Sequence, residues 1–581
     1  MKTIYRFIYI LALSVAGFSA SAQDLDPTVV VDRAYEGKLM EVHKPSLEMA
    51  VPDSVMRFDL DFDYSVFDSP YKGSYEFNPY LLSMKPSAAT DDSGRFFLRA
   101  GAGYQLRPEF DMVWSSRTGE SVRVDVYGRH RSYIGNYQNV SGSGDQVWKG
   151  YDMDTKAGIL LGSDWENGAL SLDVGYVGLH QKDISWHRAY NGVDASFAVA
   201  SKEASAKGMT YAFDADYRYA ADMTYVKSSG SRKIGEHNLD VGLKIGSGLR
   251  KGGAFRVDLG LSMAGYDGRV DCTAADIYVI PRYLYRKGVF SADLGLKLSK
   301  LVTDTLATGF TVAAKDQIVY PDVELRLNLL PKYLALFAKA GGGNTINSYS
   351  SILEGNHHAN VSVPGMTWEE YTGPEQQPVS RTFGYKMGAT IERISLTAGL
   401  EGRIGARFSY ALYGGYARYA AGMLDAVRTI SVPGMNYESA VAGLEYKPYS
   451  KLYAVFDWLW KDDRFMADGK VMYVNASGDA FSEGSSCVAP AAVTGDVSFE
   501  YNYRRRIFVG VDCIFSSART AGNGYYVIPG YADLGLAAEY VTSRALSFWA
   551  RGGNLLGMTI QRNPLYAVKG PYFTLGISLK L

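Results

Sequence analysis

The chain has 581 residues and a formal net charge of −1, with 60 basic and 61 acidic side chains. This balance gives no reason to propose nucleic-acid binding, which requires a concentrated positive field. Tyrosine (44) and glycine (62) are abundant, which suits membrane–water interfaces and the tight turns of a curved sheet.

The N-terminus has the pattern of an export signal. Lys2 and Arg6 supply positive charge, residues 7–18 form an apolar run, and Ala20-Ser21-Ala22 is a small-x-small cleavage pattern. We therefore predict a signal peptide over residues 1–22. The alternative is a membrane anchor helix, but that requires about 20 apolar residues, which exceeds this run.

Residues 23–93 differ from everything that follows them. They are rich in proline and acidic side chains, and an aromatic run extends from Phe58 to Tyr80. We predict that this segment is a periplasmic arm or a reduced plug inside a barrel. The alternative is an ordered tether, packed against the inner wall, with no role of its own.

Residues 94–581 repeat one pattern, in which about ten residues alternate between apolar and polar before a turn. Residues 253–264 and 289–300 are examples. A barrel strand faces lipid with every second side chain and the lumen with the others. A soluble β-sandwich also alternates, but its strands are usually about 5–6 residues long, and the strands predicted here are longer.

The connections between these strands alternate between short and long. Short turns fall at Arg286–Gly288, Pro448–Ser450 and Arg504–Arg506, for example, and the longest connection is 346–387. The alternation predicts an all-β fold: a large transmembrane antiparallel β-barrel with short periplasmic turns and long extracellular loops. Counting back from Leu581 yields about 22 strands, within a range of 20–24. The count includes segments 192–203, 407–419, 436–447, 452–461 and 492–503.

The C-terminal stretch resembles the ending of TonB-dependent receptors, particularly those of Bacteroidetes. The resemblance rests on Arg551–Leu556, Arg562–Tyr566 and Lys569–Leu579, and the glycine-rich segment Phe96–Tyr104 looks like the start of such barrels. The resemblance implies a 22-stranded barrel, in agreement with the strand count. Because residues 23–93 are about half as long as the family's plug domain, it also implies a barrel that lacks a normal full-length plug.

The longest connection carries the candidate binding residues. His357 and His358 are adjacent in it, and an aromatic and acidic run follows, formed by Trp368, Glu369, Glu370 and Tyr371. We predict that this loop contacts a ligand. The alternatives are a solvated loop or an aromatic loop that folds inward and narrows the lumen. A metal site needs three or four convergent ligands, so we predict no metal site. The sequence also has no Ser/His/Asp or paired-carboxylate cluster at a strand end, so we predict no cofactor, no catalytic residues and no enzyme.

These observations lead to two hypotheses about function. The first is a barrel that transports a solute across the outer membrane of a Gram-negative cell. The second is a structural barrel that scaffolds surface lipoproteins or an outer-membrane complex. The predicted partners are outer-membrane lipid and either TonB or surface lipoproteins.

Overall fold

A computed structural model describes residues 95–104, 106–116, 122–139, 146–202, 208–227, 230–247, 252–304, 310–363, 366–372, 377–431, 438–522, 524 and 526–581. The predicted signal peptide (1–22) and the predicted arm (23–93) lie outside these residues, so both remain predictions.

One antiparallel sheet of 22 long strands forms the wall of the molecule. The strands are β1 Phe96–Tyr104, β2 Glu109–Ser115, β3 Val122–Asn139, β4 Gln146–Trp165, β5 Gly168–Lys182, β6 Trp186–Ser201, β7 Met209–Val226, β8 Gly230–Ser247, β9 Gly253–Gly268, β10 Cys272–Lys287, β11 Phe290–Thr303, β12 Val319–Leu330, β13 Leu334–Asn347, β14 Met387–Ile404, β15 Phe408–Ser431, β16 Glu438–Lys461, β17 Phe465–Ser477, β18 Val493–Tyr503, β19 Ile507–Ser516, β20 Tyr531–Val541, β21 Leu546–Gly553 and β22 Tyr572–Lys580.

The sheet closes on itself. β1 pairs with β22 in antiparallel fashion, and Phe97 lies opposite Lys580. Three further short strands of the same sheet, Phe310–Thr311, Thr559–Asn563 and Tyr566–Lys569, belong to connections between wall strands. The predicted closed antiparallel barrel and its count of 22 strands are therefore confirmed.

Alternation along each strand divides the side chains between the outside and the lumen. On β9, Phe255 and Leu259 are exposed on the outer surface, whereas Asp258 is buried. Aromatic side chains are concentrated at the strand ends joined by short turns, where Phe408 packs on Trp460 and Phe465 on Tyr501. Such a belt marks a membrane–water interface. We call this end of the barrel the turn end and the opposite end the loop end.

The predicted turn at Pro448–Ser450 is wrong. These residues lie inside β16, where the register with β15 shifts between Tyr419 and Gly422. Proline has no backbone N–H and is tolerated at such a bulge, so it interrupts the pairing without ending the strand. The real turn is at 462–464, and β17 occupies part of the predicted connection 462–491. The number of strands is still 22, because the predicted strands 436–447 and 452–461 are one strand and β17 adds another.

The two halves of the ring differ at the loop end. β3 to β8 have 15 to 20 residues each, more than the 9–11 or so that cross a bilayer, and short connections join them at both ends. The strict alternation of short and long connections that the sequence predicts therefore fails in this half. Long connections occur in the second half, at 304–318, 348–386, 478–492, 517–530 and 554–571.

No helix in the described ranges is long and apolar enough to cross a membrane. Cys272, Cys487 and Cys513 are all free thiols.

Candidate functional site

The connection between β13 and β14 folds over the mouth of the barrel at the loop end. It begins with a short helix, α1 (Tyr349–Gly355), capped by Ser348, whose hydroxyl accepts a hydrogen bond from the backbone N–H of Ser351 (3.2 Å). Residues 348–363 contact strands β4 to β9, which lie up to nine strands away around the ring from β13. We call residues 348–363 the mouth loop.

Glu236, on β8, holds the start of the helix. Its carboxylate accepts hydrogen bonds from the backbone N–H of Ser350 (3.1 Å) and from the hydroxyl of Tyr190 (3.1 Å). The hydroxyl of Tyr266 in turn accepts from the backbone N–H of Tyr349 (3.1 Å). Glu236 is 1 % exposed. A carboxylate that is removed from water is stabilised only by such a full set of donors, so the wall is built to receive this helix.

Arg188 and Asp222 hold the middle of the mouth loop. Arg188, on β6, donates to the backbone carbonyl of His357 (2.9 Å) and to that of Ala359. Asp222, on the neighbouring strand β7, accepts from the hydroxyl of Tyr349. The Nε atom of Arg188 lies 3.6 Å from Oδ2 of Asp222, and neither side chain is exposed. A buried charge pair that binds two backbone carbonyls and one tyrosine hydroxyl of the same loop fixes the position of that loop.

The two predicted histidines lie in the mouth loop and face the wall. Nδ1 of His357 lies 3.0 Å from a carboxylate oxygen of Asp152, on β4. The ring of His358 stacks on Tyr566 with centroids 3.9 Å apart, and its Nδ1 lies 2.9 Å from the side-chain nitrogen of Gln181. Both histidines therefore have protein partners, and these contacts attach the mouth loop to β4, to β5 and to the last long connection.

The two histidines have opposite electrostatic environments. Burial lowers the pKa of His357, but the charge and hydrogen bond of Asp152 outweigh it, so the pKa is raised above its usual 6.5. Burial lowers the pKa of His358 to about 3, because the Asp152 carboxylate does not compensate for the loss of water. Near neutral pH, His358 is therefore uncharged within its stack.

A cavity of about 380 Å³ lies in the lumen beneath the helix. Arg218 crosses part of it, binding both carboxylate oxygens of Asp194 (2.6 and 2.9 Å) and reaching Glu354 of the mouth loop (3.1 Å). Asp216 and Asp240 also line the cavity. The space is polar and predominantly acidic, and the mouth loop forms its roof.

Other connections extend this roof. Tyr385 packs against the apolar cluster under the mouth loop and also against a second cluster containing Tyr526 and Leu565. Arg519 lies 3.5 Å from Asp425 beside this second cluster. The strand Tyr566–Lys569 pairs with the loop end of β3. These contacts join several connections into one layer.

Comparison with known proteins supports the fold. No protein-family model and no curated protein matches the chain. Three similar solved structures are a mutant of the ferric enterobactin receptor PfeA from Pseudomonas aeruginosa, the copper transporter OprC, and the FrpB iron transporter from Neisseria meningitidis. Each aligns with 84% of this chain at a TM-score of 0.58. The sequence identities are 10%, 10% and 8%, and the alignments cover 80%, 80% and 83% of the three other chains, respectively. The barrel fold is shared with transport receptors of metals and siderophores.

The remaining predicted site residues, Trp368, Glu369, Glu370 and Tyr371, lie on a separate hairpin. Their strand, Met366–Thr372, pairs with Gln377–Phe383, and the two form a sheet of their own. No group of three or more histidine, cysteine or acidic side chains in the described ranges is placed to hold a metal ion.

Sequence reasoning missed the residues that hold the mouth loop: Arg188, Asp222 and Glu236. Each is a charged residue at a lumen position near the loop end of its strand. Nothing local distinguishes them from other lumen charges, because their partners are distant in the sequence.

The motif behind the family resemblance has a structural role. Asn554, with a positive φ of 48°, is 1 % exposed. Its amide donates to the backbone carbonyls of Met558 (2.7 Å) and Gly570 (3.1 Å), which closes the base of the last long connection. Arg551 lies 2.8 Å from Glu109 on β2, across the strands that close the ring. The motif therefore supports barrel closure.

Proposed function

We propose that this chain is an outer-membrane barrel that transports a solute, with the mouth loop as its outer gate. The loop end then faces the outside of the cell. The observation that carries the proposal is a closed wide barrel whose mouth is covered by a loop held through buried charges at Arg188, Asp222 and Glu236. Removing a charge from water costs free energy. A loop held only by surface packing would not require these buried charged side chains.

The shared fold supports a transport role, because the similar structures named above are metal and siderophore receptors or transporters. On the same ground, and on the resemblance of Arg551–Leu556 to TonB-dependent receptors, we propose TonB as the energy source. Residues 23–93 would then be the reduced plug or arm on which TonB acts. The hairpin run Trp368–Tyr371 remains our proposal for first contact with the ligand.

Conductance across a planar bilayer tests the proposal. We expect the whole protein to stay closed. Deletion of residues 23–93 together with Arg188→Met should yield discrete openings, since one change removes the proposed plug and the other releases the mouth loop. Single changes should yield smaller or rarer openings. A double variant that folds, inserts and never conducts would contradict transport, and defined lipoproteins purified with it would favour the scaffold hypothesis.

Energy coupling needs a separate measurement in cells. If TonB drives transport, uptake should cease when the proton gradient is collapsed, while binding of the solute at the cell surface should persist. Uptake that continues without the gradient would contradict the TonB proposal and leave a passive channel.

A further inference from the structure

His358 completes a ring of four aromatic side chains at the loop end of the barrel. Tyr137 on β3 is the cross-strand partner of Trp148 on β4, and their rings stack with centroids 5.7 Å apart. Tyr566, on the short strand that pairs with the end of β3, meets the Trp148 ring edge to face at 6.2 Å. His358 stacks on Tyr566 and stands edge-on to Tyr137. Only this fourth ring belongs to the mouth loop.

The other three rings, Tyr137, Trp148 and Tyr566, form what we call the aromatic cup. Trp148 contacts both tyrosines, so the contacts that shape the cup do not include His358. Gly150 leaves room for two of the rings, because a Cβ atom there would lie 2.9 Å from the ring of Tyr137 and 3.1 Å from Nε1 of Trp148. The cup is therefore a feature of the wall and the last connection.

A buried amide beside the cup uses only one of its two ends. Gln181, on β5, is 1 % exposed, and its Nε2 atom lies 2.9 Å from Nδ1 of His358. Its Oε1 atom receives no hydrogen bond from any residue that the structure describes. A buried carbonyl oxygen without a donor is costly, so a ligand that supplies a donor to Oε1 would be stabilised there.

His358 satisfies this amide only in part. The imidazole offers Gln181 a single nitrogen. A glutamine side chain can pair with an acceptor and a donor at once, as it does with N7 and the N6 amino group of adenine. Because the His358 side chain is partly exposed, a ring that makes both hydrogen bonds can compete with it from the solvent side.

The surroundings of the cup favour an uncharged ring. Burial lowers the pKa of His358 to about 3, so the imidazole in the cup is neutral near neutral pH. The guanidinium of Arg188, the cross-strand partner of Gln181, also disfavours a second cation at this place. The alkylammonium groups that aromatic cages commonly bind are therefore poor candidates for the occupant.

We propose that the aromatic cup and Gln181 form a binding site for an uncharged nitrogen heterocycle with an amino group beside a ring nitrogen, as in an aminopurine, and that this ring displaces His358. The ring stacks on Tyr566, its ring nitrogen accepts from Nε2 of Gln181, and its amino group donates to Oε1. The inference rests on the proposed function, because it makes such a ring the part of the solute that opens the mouth loop.

The position of the site couples binding to opening. Gln181 is the cross-strand partner of both Asp152 and Arg188. Asp152 contacts His357, and Arg188 binds the backbone of the mouth loop. A ligand that takes the place of His358 removes one of three neighbouring attachments of the loop, so the remaining two must hold it alone.

Equilibrium dialysis of the whole protein in detergent micelles tests the site, with radiolabelled 9-methyladenine as the probe. We expect 9-methyladenine to bind about tenfold more tightly than 9-methylpurine, which has the same rings but no amino group to donate to Gln181. Gln181→Leu should abolish this difference, and Tyr566→Leu should weaken the binding of both compounds. The gel shift on heating confirms that each variant is a closed barrel.

Two alanine variants separate the site from a general loosening of the mouth loop. His358→Ala empties the cup and should raise the affinity for 9-methyladenine about tenfold, since one stacking contact and one hydrogen bond no longer compete. His357→Ala also deprives the loop of one histidine contact but leaves His358 in the cup, so the affinity should rise far less.

The outcomes distinguish this inference from the proposed function. Equal binding of the two compounds by the wild type, or an equal gain of affinity in the two alanine variants, would overturn the site while leaving transport intact. Tight binding of 9-methyladenine with residues 348–363 still protected from protease would overturn the displacement of His358. Failure of the proposed function is read separately, from the absence of conductance in the double variant described above.

Discussion

The guanidinium of Arg188 and the carboxylate of Asp222 lie 3.6 Å apart with no exposure to solvent, on adjacent strands. Both also bind the mouth loop, Arg188 through the backbone carbonyl of His357 and Asp222 through the hydroxyl of Tyr349. The closed position of the mouth loop therefore depends on two groups that cannot be removed independently.

Substitution of one member of this pair should release the mouth loop. Arg188→Met leaves Asp222 as a buried charge without its cation, at a cost of about 3–5 kcal/mol, which opening of the loop would relieve. We expect protease cleavage within residues 348–363 of the variant in intact membranes, where the wild type is protected.

The double variant R188M/D222L is the control. It removes both charges, so no unpaired carboxylate remains, and the loop should be cleaved more slowly than in the single variant. Equal cleavage in both variants would mean that the hydrogen bonds to the loop backbone, and not the charge pair, hold the mouth closed.

Acid should act on the mouth loop through the two histidines with opposite sign. The pKa of His358 is about 3 in the closed loop and 6.5 when free, so its contribution to closure is present above pH 6.5 and is lost as pH falls toward 3. The pKa of His357 is raised in the closed loop, so its contribution is present below 6.5 and is lost as pH rises through the raised value.

Single variants separate these effects. In His357→Gln, the stabilising contribution that His357 makes at low pH is absent. Acidification from pH 7.5 to 4.5 should therefore increase loop cleavage or conductance more than in the wild type. In His358→Gln, the same acidification should tighten closure, because His357 pairs more strongly with Asp152 once it is protonated and the opposing contribution of His358 is absent. Identical pH profiles in the two variants would contradict the assignment of the histidines.

The division of side chains between lipid and lumen predicts a contrast on β9. Leu259 is an exposed outward residue near the middle of the strand, and Ser262 lines the lumen cavity. Leu259→Arg should destabilise the barrel by about 2–4 kcal/mol, whereas Ser262→Arg should cost little because lumen carboxylates are within reach. Urea unfolding in lipid vesicles measures both, and equal costs would contradict the barrel's inside–outside assignment.

Local patterns were sufficient to predict the fold but not the closure of the mouth. Alternation of apolar and polar residues and the turn signals recovered the closed ring, including the strand assigned at 192–203, which is β6 (Trp186–Ser201). The turn placed at Pro448–Ser450 was wrong because proline marks a bulge as readily as a turn. The contacts of His358 with Gln181 and Tyr566 join three distant segments, and no local pattern encodes them.

Asn554 offers a test of the C-terminal motif. It has a positive φ of 48°, and its side chain bridges the two ends of the last long connection. Asn554→Gly keeps access to this backbone conformation but loses the three hydrogen bonds, each worth about 0.5–1.5 kcal/mol. Asn554→Ala loses the same bonds and adds about 1–2 kcal/mol of backbone strain. The temperature at which gel mobility shifts on heating should therefore fall in the order wild type, glycine variant, alanine variant. Equal temperatures for the two variants would contradict the backbone argument, and wild-type temperatures in both would mean that the motif does not support barrel closure.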